Sequence, residues 1–458
     1  MKGATTSFHA ATFGCKVNQY ETQSLREAWL RRGFTEVDTP EGADVILVNT
    51  CAVTARAVSD VRRAIARLHR AAPAAGIVVT GCAAQVLREE FAGLPGVVAV
   101  VPQEAKATLA AYDPAAAIMP PVSTHDAHGD AATAQASSAT SGDVVPAQAS
   151  VFPDFRIEGF RRARPVVKVQ DGCSHRCTYC IVPLTRGASR SREPGEVVAE
   201  LRRLLDAGFR EVMLSGVNLR LYGRDLSGAG DFWDLLQRVE RELAPEWAGR
   251  ARLRISSLEP GQLGAHALDV LGGSRLVCPQ LHLSLQSGSP DVLRRMGRGH
   301  YSPAPLLDFL RDLGGTWPVF GLGADILMGF PGESEDAFAE TLDFVRALPL
   351  TYAHVFPYSR RPGTVAASLP EHLPQEIRKA RAAAVRDVVA QKRAVFAERL
   401  AGLPALSVVL DGAGARKGIS EYYAECRVRR VPHGHDHRAV LTVRPVGVEA
   451  GCVVTEAV

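Results

Sequence analysis

At 458 residues and 46% hydrophobic content, the chain is too long for one ordinary domain and can bury two or three cores. A net charge of +4 is nearly neutral, so composition neither demands nor excludes an RNA partner. No apolar run reaches membrane-spanning length, and the N-terminal MKGATTSFHA lacks a signal peptide's layout, so a cytoplasmic protein without a membrane partner is expected; nine cysteines there point to metal or redox work rather than disulfides.

Residues 1–102 alternate strand-like runs (SFHAATFG, ADVILVNT, GIVVTG) with helical periodicity (NQYETQSLREAWLRRG, ARAVSDVRRAIARLHR), which predicts a small parallel α/β domain. Residues 103–157 read as a linker. Within it, 122–150 is rich in Ala, Ser, Thr, Asp and Gly without an apolar period, the mark of a low-complexity insert. From 158 to 370 strand and helix alternate six more times. The strand candidates are RPVVKVQ, REVMLSGV, RLRISSL, LHLSLQS, FGLGADILMGF and YAHVFPYS. Six such units predict a partial (β/α)6 barrel with its chemistry at the C-terminal strand ends. Residues 371–402 form a basic connecting helix, and the short β-rich runs of 403–458 predict a small all-β domain, an antiparallel barrel or sandwich. The fold class is α/β with an all-β tail.

Cys173, Cys177 and Cys180 follow RPVVKVQ at once, in the loop at the C-terminal end of the first barrel strand. Three thiolates on a four-iron cubane leave one iron open to bind a substrate or cofactor, such as the amino and carboxylate groups of S-adenosylmethionine. The rival reading is zinc, which wants a fourth ligand that His175 is poorly spaced to supply. Cys15, Cys51 and Cys82 each end one of the three N-terminal strands, one βα unit apart. In a parallel sheet those ends share an edge, so three thiols distant in sequence should converge on a second cluster. The bland reading is three small residues buried at strand ends. Cys278, Cys426 and Cys452 have no such companions and read as packing or surface thiols.

With both sets in place, the chain resembles the methylthiotransferase family of radical S-adenosylmethionine enzymes over nearly its whole length. The matching segments are GCKVNQYET (14–22), NTCAVT (49–54), GCAAQ (81–85), DGCSHRCTYCIVPLTRGASRSR (171–192), LQSGSPDVLRRMGRGH (285–300), GADILMGFPGE (323–333) and VFPYSRRPGT (355–364). The order of parts also matches: a cluster domain, a radical barrel, then a TRAM β-domain that binds RNA. GCKVNQYET, and NTCAVT without a following Arg-Glu, look most like the branch acting on N6-threonylcarbamoyladenosine 37. The other branches act on isopentenyladenosine 37 or on a ribosomal-protein aspartate. A zinc-stabilised RNA-binding module without catalysis is the rival from another class. Two features depart from the branch: the insert at 122–150, and Tyr422 in GISEYYAECRV where Asn is usual, a position that bears on the RNA contacts.

The resemblance implies two 4Fe-4S clusters. The one on Cys173, Cys177 and Cys180 binds and reduces S-adenosylmethionine, and the resulting radical takes hydrogen from C2 of the adenine. The one on Cys15, Cys51 and Cys82 presents sulfur, and a further S-adenosylmethionine supplies the methyl. The partners implied are a tRNA anticodon stem-loop, a reductant protein such as flavodoxin or ferredoxin, and a sulfur donor. Cofactor contacts are expected from other strand ends: Ser215, Gly216 and Asn218 after the second strand, Ser284 and Gln286 at the fourth, Asp325 and Gly329 at the fifth. The bland alternative is that these are turn residues. An RNA surface is expected from Arg186, Arg190 and Arg192, from Arg378, Lys379, Arg381, Arg386, Lys392 and Arg393 on the long helix, and from Arg427, Arg429 and Arg430. The first three lie close enough to the chemistry to secure the cofactor instead.

Overall fold

The computed structural model describes residues 5–113 and 152–458, so the insert expected at 122–150 lies outside the described residues. The first part is a parallel sheet of β1 (Ser7–Thr12), β2 (Thr35–Glu36), β3 (Val45–Thr50), β4 (Gly76–Gly81) and β5 (Val97–Val101), in the order β2-β1-β3-β4-β5. Two strands exceed the three read from sequence. β2 has two residues, too few for any period, and β5 is a bare Val-Val-Ala-Val-Val run that periodicity cannot classify. Helices α1 (Lys16–Arg31), α2 (Ala55–Ala71) and the short α3 (Cys82–Val86) and α4 (Arg88–Ala92) connect the strands. Alternation along β3 divides two cores: Ile46 and Val48 pack with Val61 and Ile65 of α2, while Val45 and Leu47 pack with Tyr20, Leu25 and Trp29 of α1. The α1-side core runs without a break into Phe155, Ile157 and Val167, so the first sheet and the next part share one interior.

That next part opens with β6 (Val166–Lys168), β7 (Gln170–Asp171), α5 (Val182–Arg186) and β8 (Arg190–Ser191), β7 and β8 forming a two-stranded ladder. Then follow α6 (Pro194–Asp206), β9 (Glu211–Ser215), α7 (Phe232–Trp247), β10 (Arg252–Ile255), α8 (Ala265–Gly273), β11 (Gln280–Gln286), α9 (Pro290–Arg295), α10 (Ala304–Thr316), β12 (Gly321–Met328), α11 (Glu335–Ala347) and β13 (Tyr352–Pro357). All six expected barrel strands form. They lie parallel as two trios, β6-β9-β10 and β11-β12-β13, joined through the bridges Leu253–Val277 and Leu258–Leu283. Their outer faces are apolar (Val212, Leu214, Leu253, Leu281, Ala324, Ile326) and pack under the helices. The opposite faces carry Lys168, Arg254, Gln280, His282, Asp325 and His354. A polar hollow results.

Helix α12 (Gln375–Ala401) lies along β13 and α11 and carries on to the C-terminal strands. Much of its charge is used inside the protein. Arg381 donates to Glu333 and Glu335 at 2.8 and 2.6 Å, Lys392 to the carbonyls of Arg346 and Leu348, and Arg378 to the carbonyl of Tyr358. Lys379 and Arg386 remain exposed. β14 (Leu406–Leu410), β15 (Lys417–Ser420), β16 (Glu425–Val428), β17 (Leu441–Glu449) and β18 (Cys452–Ala457) close a five-stranded barrel, which sequence left as barrel or sandwich. It is not wholly antiparallel, because β16 and β18 run parallel. It docks at the N-terminal ends of the radical-barrel strands: Arg252 donates to the carbonyl of Ser407 at 2.9 Å, and Arg254 to those of Ser420 and Glu421 at 3.0 and 3.2 Å. Tyr422, the residue that departs from the branch, lies half-buried in this contact with its carbonyl facing Gly321.

Candidate active site with two cysteine triads

Cys173 stands just beyond β7. Gly172 before it has φ +67°, and a Cβ there would come within 1.9 Å of the Ala188 carbonyl, so only glycine lets the outgoing and returning chains pass this closely. The loop is pinned on several sides. Cys173 N–H donates to the Gly187 carbonyl at 3.0 Å, Thr178 N–H to Met296 at 2.9 Å, and Arg361 to the Tyr179 carbonyl at 3.0 Å. Burial raises the thiols of Cys173 and Cys177 and pushes that of Cys180 up to about 12. Such thiols ionise when a metal takes the proton's place.

Cys15, Cys51 and Cys82 stand at the C-terminal ends of β1, β3 and β4, where the parallel register aligns Thr12 with Asn49 and Thr50 with Gly81. A Cβ on Gly14 would fall 2.6 Å from that of Cys51, a measure of how closely these strand ends approach. Desolvation raises the Cys15 thiol against the opposing pull of Arg186, and burial takes that of Cys51 to about 12, with Cys15 and Cys82 adding to the rise. The two triads are neighbours. Ile181, next to Cys180, packs in the core that holds Cys82 and Ala83, and α5 lies on α3. Arg361, 9% exposed, senses the thiols of both Cys180 and Cys51, and its Nε has no partner among the described residues.

Among the described residues, the groups whose ligand atoms all lie within 4.8 Å of one another are His175–Glu259–His300, His282–Asp325–His354 and Asp231–Asp234–His266. His175 Nδ1 lies 3.4 Å from both Asn218 and Glu259. The donor set of each triad fits an iron–sulfur cubane with one iron free of protein.

Behind the second triad lies a buried ionic knot. Glu21 of α1 meets Lys106 at 2.6 Å, Lys168 at 2.9 Å and Arg186 at 2.8 Å, while Asp171 meets Lys168 at 3.0 Å and Arg186 at 2.8 Å. Burial alone would raise both carboxyls. The cations outweigh it, holding Glu21 well below its usual range and Asp171 at about 2. Arg186 is therefore not an RNA contact; it ties the N-terminal domain to the barrel. Arg192 is likewise internal, donating to Glu200 at 3.1 Å and the Tyr20 hydroxyl at 3.2 Å. Arg190 stands at the rim, 4.0 Å from Asp171.

The other strand ends meet the first triad unevenly. Asn218 donates to Cys173 Sγ at 3.6 Å and to Glu259 at 3.1 Å, with Ser215 and Gly216 beside it at the end of β9. Ser284 offers its carbonyl to Arg298 at 2.8 Å, and Gln286 sits at a bulge in β11 with φ +67°, a strained conformation of the kind found at binding sites. Gly329 turns toward α12, where the stem of Arg378 fills the space a side chain would need. Asp325 lies within the hollow, 3.1 Å from His282. Cys278 and Cys426 are buried, and Cys452 lies on β18 of the C-terminal barrel.

Sequence reasoning missed Glu259. It receives Asn218, His300 (3.1 Å), Arg298 (3.3 Å) and Arg220 (3.4 Å). Burial would raise its carboxyl, but His175, Arg298 and His300 hold it at about 2. It follows the third barrel strand, where the strand-end rule applied to the second, fourth and fifth would have found it. Arg298, whose guanidinium also reaches 4.0 Å from Cys177 Sγ, and Arg361 lie in segments singled out above but carry no spacing signal of their own.

Residues 7–102 match the uncharacterized protein family UPF0004, and residues 167–345 match the Radical SAM superfamily. A threonylcarbamoyladenosine tRNA methylthiotransferase MtaB of Bacillus subtilis is 34% identical over 82% of this chain and 78% of its own length. A tRNA-2-methylthio-N(6)-dimethylallyladenosine synthase of Caldicellulosiruptor saccharolyticus is 31% identical over 92% of this chain and 85% of its own. Among solved structures, the radical S-adenosylmethionine methyltransferase TsrM of Kitasatospora setae superposes with a TM-score of 0.52 at 17% identity, covering 79% of this chain and 74% of that one, a likeness of fold.

Proposed function

The chain belongs to the radical S-adenosylmethionine methylthiotransferase family, in its MtaB-like branch, and from that premise we propose that it inserts sulfur and a methyl group at C2 of N6-threonylcarbamoyladenosine 37 in a tRNA anticodon stem-loop. It is an iron–sulfur enzyme that uses S-adenosylmethionine. The observation that supports the reading is the contact between the two cysteine segments: Ile181, next to Cys180, packs in the core that holds Cys82, and α5 lies on α3. When bound, the cofactors supply the radical that opens an unactivated C–H bond and the sulfur that replaces the hydrogen.

The protein's part is to hold and shield. Cys173, Cys177 and Cys180 would ligate one cluster, with Ser215, Gly216, Asn218, Ser284, Gln286 and Asp325 around the cofactor and Gly329 shaping the backbone behind it. Glu259 fixes Asn218, Arg298 and His300 in one hydrogen-bonded set, so the wall beside Cys173 and Cys177 is preorganised. Cys15, Cys51 and Cys82 would ligate a second cluster. Three thiolates on a 2+ cubane leave a charge of minus one, and the knot behind them, three cations against two carboxylates, supplies one positive charge in return. A reductant protein such as flavodoxin or ferredoxin and a sulfur donor complete the requirement.

Nucleoside analysis of tRNA from a deletion strain tests the substrate: the 2-methylthio derivative should vanish, and its persistence at normal level refutes the assignment. Anaerobically prepared protein should carry about eight irons, falling to about four in the Cys173→Ala/Cys177→Ala/Cys180→Ala variant together with loss of deoxyadenosine release. A colourless zinc protein would favour the non-catalytic alternative.

A further inference from the structure

Among the described residues, Lys16 in the hollow inside the open barrel is a cation without a hydrogen bond or ion pair. Lys16, the first residue of α1, points its ammonium to 6.0 Å from the centroid of the Tyr423 ring, and its other charged neighbours are Arg254, Asp325 and Arg164. No hydrogen bond or ion pair reaches it among the described residues; Asp325 is occupied 3.1 Å away by His282, whose other nitrogen lies 3.0 Å from the Tyr352 hydroxyl. His354, across from Asp325 in the strand register and exposed, sets its ring 5.4 Å from that of His282. Tyr352 and Tyr423 meet at a tilt, their ring centroids 4.9 Å apart, and line with His354, Arg164 and Arg393 a cavity of about 320 Å³ against the C-terminal barrel, next to the hollow rather than within it.

We propose that this hollow is the subsite for the carboxylate-bearing substituent on N6 of the target adenine, with Lys16 as its specificity-determining residue; this rests on the function proposed above. Lys16 binds the carboxylate by a charge-assisted hydrogen bond, His354 takes its second oxygen or the neighbouring hydroxyl, and Tyr352 and Tyr423 cover the carbon chain. The placement suits the reaction. N6 and C2 flank N1 on one edge of the ring, and Lys16 is one residue from Cys15, so a base anchored through N6 keeps C2 by the triads. An uncharged isopentenyl group would leave the ammonium partly buried and unpaired, which disfavours that substrate.

The test uses cluster-loaded full chain and three anticodon stem-loops differing only at position 37: N6-threonylcarbamoyladenosine, isopentenyladenosine and adenosine. Lys16→Met should raise Kd and KM for the first by about 10- to 100-fold, leave affinity for adenosine within about twofold and bind isopentenyladenosine no worse than before, and Lys16→Arg should restore most of the preference. Iron content and deoxyadenosine release report whether the site survives. If Lys16→Met loses iron, His354→Ala, away from the triads, decides by the same preference. Equal loss for all three RNAs, or no change in either variant, overturns the inference while the function stands. A wild-type protein that does not prefer the first RNA overturns the function itself.

Discussion

Replacing Glu21 by Gln keeps the shape of the buried knot and removes one of its two negative charges. Glu21 is fully buried and meets three cations at 2.6 to 2.9 Å, so the change moves the knot from one unbalanced positive charge to two. Breaking a buried pair costs about 3–5 kcal/mol, because the surviving partner has neither water nor counter-charge. That is a large share of a total stability on the order of 5–15 kcal/mol. Adding Lys106→Met to Glu21→Gln returns the net charge to its starting value, so the double variant should recover about 1–3 kcal/mol of the loss. Urea titration followed by fluorescence of Trp29, which packs in the core shared by the sheet and the barrel, measures both. A cost for Glu21→Gln below about 1 kcal/mol, or a double variant as poor as the two single costs added, would refute the charge-balance argument.

Gly172→Ala should cost the first cluster, since its new methyl would lie 1.9 Å from a carbonyl oxygen; iron content should fall by about half, and full occupancy would contradict the loop geometry. Acid should unfold the protein in a defined window. Glu21, Asp171, Glu211 and Glu259 all titrate in the fold below their ordinary 4.5 or 3.8, so their stabilisation is present above those values and lost as pH falls below them, down to about 2 for Asp171, Glu211 and Glu259. Circular dichroism should therefore stay flat from pH 7 to about 5 and drop below about 4, whereas loss centred near pH 6 would point to histidines instead.

The six barrel strands were legible because each is an apolar run bounded by helical periods, and the places of Cys15, Cys51 and Cys82 because each follows a strand of a parallel sheet, whose C-terminal ends share one edge. Three things were not. β5 lacks any period of its own. Arg186 sits among other basic residues, and only the folded chain shows that it meets Glu21, 165 positions away. Tyr422 reads as a surface residue of a small β-domain until Arg254 is seen donating to the carbonyls of Ser420 and Glu421. In each case the missing information was which far segment arrives at the side chain, and pattern along the chain does not encode that.

The interior shared by the first sheet and the barrel is also latched from one helix. Tyr20 donates to the carbonyl of Phe155 and Trp29 to that of Leu109, so α1 holds a segment of each part through a buried hydrogen bond. Removing either donor leaves a buried carbonyl unpaired, at a cost of about 1–3 kcal/mol.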